Sequence, residues 1–83
     1  MAHPRFRVLA RVAGVEHTLR TLKFVKAART FAEEQVLYVA EFEERAADDP
    51  EVVAAIQRIR VFTPTDFVTV IIGSSTVRLE AVD

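Results

Sequence analysis

The 83-residue chain contains no cysteine and no tryptophan, and only two glycines, three prolines and two histidines. The lack of cysteine excludes a disulfide scaffold, a thiolate metal site and a cysteine nucleophile together. With glycine only at positions 14 and 73, no glycine-rich loop can cradle a phosphate. So little proline and glycine excludes collagen-like and linker-like chains. A hydrophobic fraction of 51 % with a net charge of -1 excludes a disordered one. The longest stretch without a charge, Phe67 to Val77, is eleven residues long and contains Gly73, which is too short for a bilayer. The amino terminus shows no apolar core of the roughly 7–15 residues that a secretory signal needs. A cytoplasmic location is therefore expected, with no membrane partner.

Length allows one domain, residues 1–83, with residues 1–4 expected to be disordered. A chain this small buries only about 60–65 % of the surface its unfolded form exposes. Small domains that have neither disulfides nor metals often make up the shortfall by oligomerising.

Catalytic and metal-binding patterns are missing as well. The histidines, His3 and His17, belong to no H-x-x-H or E-x-x-H pair. Glu41, Glu44 and Asp48 share a helical spacing, and such acids are usually a solvated surface. The only serines, Ser74 and Ser75, lie in an expected turn with no G-x-S-x-G context, where turn serines bond their own backbone. His17 has no evident partner for general-base work. No enzymatic activity, metal or cofactor is expected.

What the chain does have is segregated charge. Residues 1–30 carry Arg5, Arg7, Arg11, Arg20, Lys23, Lys26 and Arg29 against Glu16 alone. Residues 31–51 carry eight carboxylates against Arg45, and the remainder is neutral. A basic third is followed by an acidic third and then by a β-rich third.

Arg5 to Val12 alternates strictly, with Phe6, Val8, Ala10 and Val12 on one side and three arginines on the other, the period of a half-buried strand; the alternative is a helix, in which Phe6, Leu9 and Ala13 share a face and Pro4 suits the first turn. Ala13-Gly14 ends it. Residues 16–28 read either way: Leu19, Leu22 and Val25 follow a helical stripe, while Thr18, Thr21 and Phe24 suit a strand. Thr30-Phe31-Ala32-Glu33 fits a capping box and predicts a helix over 31–47. Two rivals remain open. One is a helix over 16–34 followed by a Val36–Val39 strand; the other is a single helix from Glu16 to Ala47. Asp49-Pro50-Glu51 supplies a cap, a proline at the first helical position and an early acid, predicting a second helix to about Arg60. Phe67–Ile72 and Thr76–Val82, joined by Gly73-Ser74-Ser75, predict a hairpin. The expected class is α+β: a small antiparallel sheet, made of the amino-terminal strand and the carboxy-terminal hairpin, packed against one or two helices.

The charge pattern suggests a partner. Basic and acidic segments of two copies can dock antiparallel about a two-fold axis. Apolar residues off the main core stripes, namely Leu9, Leu19, Leu37 and Ala40, suggest a surface left to be covered. The expected function is a small interaction module, a homodimer or an adaptor or regulatory subunit for another protein. Its expected interface is Leu19, Leu37, Tyr38 and Phe42 for contact area, with Arg20, Lys23, Glu41 and Glu44 for register. The alternative is a nucleic-acid-binding regulator using Arg5, Arg7, Arg11 and Lys23. Arg5-Phe6-Arg7 and Lys23-Phe24-Val25-Lys26 interleave cations with aromatics as single-strand binders do. Against it, Phe6 and Phe24 are better placed in a core, and the acidic third repels phosphates unless it points away.

Overall fold

A computed structural model of the chain describes residues 4–82; the expected disorder of the amino terminus and the placement of His3 fall outside the described residues, apart from Pro4. β1 (Arg5–Val12) and β2 (Val15–Leu22) form one hairpin, α1 (Val25–Phe42) and α2 (Pro50–Arg60) follow, and β3 (Phe67–Ile72) and β4 (Ser75–Val82) form a second hairpin. The hairpins join through β1 and β4 into a four-stranded antiparallel sheet of order β2-β1-β4-β3. The α+β class, the Asp49-capped helix and the carboxy-terminal hairpin are as the sequence predicts. The sheet has one strand more than expected.

That strand, β2, settles the ambiguous segment. Ala13 (φ 51) and Gly14 (φ 82) are both left-handed, the signature of a two-residue hairpin turn whose twist matches that of the flanking strands. β2 is an edge strand with six of its eight residues exposed, so it lacks the alternation that marks a half-buried strand. Its pairing with β1 slips by one residue between Ala10 and Arg11, a bulge that leaves His17 without a partner on β1.

The capping box does not form. α1 begins at Val25, five residues before Thr30, with Phe24 at its N-cap and no side-chain cap. The helix-then-strand rival fails too, because Val36–Val39 is helical. Tertiary packing decides the start. Ala28, Ala32, Val36 and Val39 are fully buried at helical spacing, and the two alanines bring the helix close to the sheet. Ala40, expected off the core, is also buried, whereas Phe24, expected in it, is 71 % exposed.

At its other end α1 stops at Phe42 rather than Ala47. Glu44 is left-handed (φ 58), the Arg45 amide donates to the Ala40 carbonyl (2.7 Å), and the Glu44 amide donates to the Glu41 carbonyl (3.0 Å). This is a Schellman closure with glutamate where glycine usually sits. α2 starts as predicted: Asp49 Oδ1 accepts from the Glu51 amide (2.8 Å), and Pro50 occupies the first turn.

The buried side chains form one cluster on the helical side of the sheet, built from β1, β3, β4, both helices and Phe62. Phe62 meets Phe6 edge to face, with ring centroids 6.2 Å apart. Where the two hairpin turns meet the end of α1, a polar knot closes that end of the layer. Ser75 is fully buried; its Oγ accepts from the Ala13 amide (3.0 Å) and donates to Glu43 Oε2 (2.7 Å). The Ser74 amide also donates to Glu43 (3.2 Å). The two serines thus bond Glu43, not their own turn as the sequence suggested. Gly73 is left-handed (φ 60), and a Cβ there would overlap the Glu43 carboxylate.

These hydrogen bonds, that of Ser75 foremost, hold the Glu43 carboxyl below its ordinary value of 4.5. Arg7 and then Arg78 do the same for Glu80. A depressed carboxylate contributes stability that is present above the unfolded pKa and is lost as pH falls through the folded one. Urea midpoints should therefore fall as pH drops below about 4.5, and should fall less in Glu43→Gln, which starts lower at neutral pH. Ser75→Ala removes a buried hydroxyl and its two hydrogen bonds, one of them to a carboxylate, and should cost about 1–3 kcal/mol. Glu44→Gly relieves the left-handed glutamate and should raise stability by up to about 1 kcal/mol; unchanged thermal midpoints would contradict this account of the helix end.

Candidate functional site

Two surfaces are left uncovered by the fold, one on α1 and one on the far side of the sheet. α1 lies with its small residues on the sheet and with Arg29 and Glu33 turned toward α2. Arg29 Nε donates to the Phe62 carbonyl (3.0 Å), and Glu33 pairs with Arg60 (2.9 Å). The remaining side exposes Leu37, Tyr38, Glu41, Phe42 and Glu44. Phe42 is 59 % exposed, Tyr38 46 % and Leu37 42 %. Leu37, Ala40, Glu41, Glu44 and Arg45 line a shallow groove that continues to Ala47, and Tyr38 and Phe42 lie beside it with Glu41.

This helix carries its charges against its own dipole. No acid lies in the first turn and no base in the last. Lys26 sits at the start, with Lys23 just before it, while Glu41, Glu43 and Glu44 crowd the end. Each such charge near the wrong helix end costs about 0.3–1 kcal/mol at low salt. Glu43 is compensated by the serine knot. Lys23, Lys26, Glu41 and Glu44 have no ion-pair partner among the described residues. Lys26 and Glu41 are about 22 Å apart along the helix, too far to answer each other within one chain.

The expected interface residues are thus brought together only in part. Leu37, Tyr38, Glu41, Phe42 and Glu44 share the exposed side of α1, and Lys23 stands past the end of β2 near its start. Leu19 is separated from them: it pairs with Leu9 on the face of the sheet turned away from the helices. Arg20 points to the helical side and lies over the Phe31 ring, 4.9 Å from its centroid. The sequence did not single out two residues that join this surface. His17, in the bulge of β2, stacks on Tyr38 at 4.7 Å between centroids, and Phe31 lies under Arg20. Only knowing that residues 15–22 form a strand running beneath α1 reveals these contacts.

The far side of the sheet has the opposite electrostatic character. Arg5, Arg7 and Arg11 project there from β1, opposite Val82, Glu80 and Thr76 of β4. Arg78 also lies on this face and donates to Thr69 Oγ1 (2.9 Å) and to Glu80 (2.7 Å); Arg7 pairs with the same Glu80. The Arg78 guanidinium lies 4.6 Å from the centroid of Phe67, whose side chain is 65 % exposed. Ile71 is exposed on the same face. Lys23, grouped with these arginines in the nucleic-acid alternative, lies past the end of β2 and not on this strand face.

None of the four ion pairs among the described residues joins the basic residues of 1–30 to the carboxylates of 31–51. Among the described residues there is also no group of three or more metal-ligating side chains, and no helix long and apolar enough to cross a membrane. Compared with known proteins, the chain matches no family model, no curated protein and no solved structure.

Proposed function

We propose that this chain is a small, non-enzymatic interaction module that pairs with a second copy of itself along the exposed side of α1. The supporting observation is the uncompensated charge reversal of that helix beside an apolar stripe. Two copies of α1 laid antiparallel about a two-fold axis set Lys26 against the partner's Glu41, and Lys23 against the partner's Glu44. Each misplaced charge then meets an opposite one, and each helix end meets the opposite end of its partner's dipole. Leu37, Tyr38 and Phe42 supply the apolar burial that gives affinity, while the exposed ion pairs, worth about 0–1 kcal/mol each, set register and orientation. A stable dimer needs about 800 Å² from each partner, roughly 15 % of the 5340 Å² that this chain exposes. The exposed side of α1, about 27 Å long, supplies part of that area, and Lys23 before it and the Glu44–Ala47 segment after it extend the surface. Glu34 lies nearest the axis and opposes its mate, so the pair is held at its ends rather than its centre.

Such a module acts by presenting a fixed surface, as a subunit or adaptor does. Native mass by light scattering should give twice the chain mass at low salt and a weaker dimer at high salt. Phe42→Glu should give a folded monomer; an unchanged mass would remove this face from consideration. Lys26→Glu should weaken the dimer yet stabilise the monomer by about 0.3–1 kcal/mol, because it corrects the helix end. Adding Glu41→Lys to Lys26→Glu should restore pairing. Glu34→Gln should tighten it.

A further inference from the structure

The sheet face turned away from the helices is separate from the α1 surface, and the fold gives it a charge opposite to that of the helical layer. Four arginines, Arg5, Arg7, Arg11 and Arg78, share it with two carboxylates, Glu16 and Glu80. From Val25 to Arg60, the helical layer holds eight carboxylates against five cations. The acidic third therefore sits on the helices, behind the sheet, and the objection that it would repel phosphates loses its force for a ligand approaching from the open side.

We propose that this open face binds single-stranded nucleic acid, with the backbone lying along the Arg5–Arg7–Arg11 line of β1 and a base stacking at Phe67. Residues i and i+2 of a strand are about 6.6 Å apart, so the line from Arg5 to Arg11 runs about 20 Å. Arg5 and Arg11 make no ion pair among the described residues, Glu16 standing across from Arg11 beyond ion-pair distance, and both can take phosphates. Arg7 and Arg78 share one carboxylate, Glu80, so between them they leave one further positive charge. Phe67 presents an exposed ring with Arg78 already seated against it, the pairing of aromatic and guanidinium on which a base can stack. Leu9, Leu19 and Ile71 add apolar contact on either side. Duplex DNA fits less well. A flat face of four strands enters neither groove, whereas single strands lie across open sheets with their bases down.

Three neutralised phosphates predict a slope of about -2 in log affinity against log salt, a loss of about 20-fold between 50 and 200 mM. The test is fluorescence anisotropy with a labelled 20-mer of deoxythymidine and the full chain, using inorganic polyphosphate and poly-glutamate as competitors. Arg5→Ala/Arg11→Ala removes two exposed side chains that no ion pair uses, so the fold should persist by circular dichroism. Binding should then be lost at 150 mM salt, with the slope at low salt shallower by about one to two. Phe67→Ala should weaken oligonucleotide binding about tenfold while leaving polyphosphate competition unchanged. Phe42→Glu should bind the oligonucleotide as the parent does, which keeps this surface distinct from the α1 pairing whether or not that pairing exists. No binding at 50 mM salt overturns the proposal, as does binding that survives loss of both arginines. Equal competition by poly-glutamate, with no effect of Phe67→Ala, also overturns it and marks the face as a site for an acidic peptide.

Discussion

Everything in this fold rests on the pairing of β1 with β4. Each hairpin alone is two strands and a short turn, an arrangement of marginal stability in water. The β1–β4 ladder joins residues more than sixty positions apart, from Arg5 with Val82 to Arg11 with Thr76, and makes one sheet of the two hairpins. It places Val8 beside Leu79 and Ala10 beside Val77, all essentially inaccessible to solvent, at the centre of the cluster of buried side chains. α1 packs across this seam, and the Glu43–Ser75–Ala13 knot ties the end of the helix to both turns. Because β1 and β4 meet in one ladder, neither hairpin completes the sheet without the other.

The same ladder separates the charges. Alternation along β1 puts its apolar residues toward the helices and its arginines on the open side. The acids follow in the helical segment and therefore gather on the other side of the sheet. A net charge near zero thus conceals a molecule with a basic face and an acidic back. The helical layer has its own internal polarity, basic where α1 begins and acidic where it ends. Isolated, that arrangement is costly, and among the described residues the fold compensates at Glu43, where the buried Ser75 hydroxyl and the Ser74 amide replace the cation that the helix end lacks.

Much of the fold was legible from local pattern. Strict alternation located β1, the Asp49-Pro50-Glu51 cap located α2, and Gly73-Ser74 between two β-branched runs located the second hairpin. In each case the deciding interaction is short in sequence: a pleat, a cap, a turn. The start of α1 was not legible, since Thr30 has the residues of a capping box but lies within a helix whose beginning is set by Ala28 and Ala32 packing on the sheet. β2 was not legible because an edge strand exposed on both faces has no burial pattern to display. The candidate site was legible in part. The α1 residues from Leu37 to Glu44 were recognisable as a surplus face, whereas Leu19, taken as surplus apolar surface, and Arg20, taken as a charge for register, lie in a segment whose strand geometry the local pattern left open.

Composition and local patterning suffice for the class of this protein: an α+β chain with segregated charge and none of the motifs of metal, thiol or phosphate-loop chemistry. Only the tertiary structure decided which charges share a surface. A slip of one residue in a strand's register moves its side chains from one face to the other, because successive residues of a strand point to opposite sides. That is why Leu19 and Arg20, neighbours in sequence, lie on different faces, and why Arg78 and Phe67, eleven residues apart, lie together.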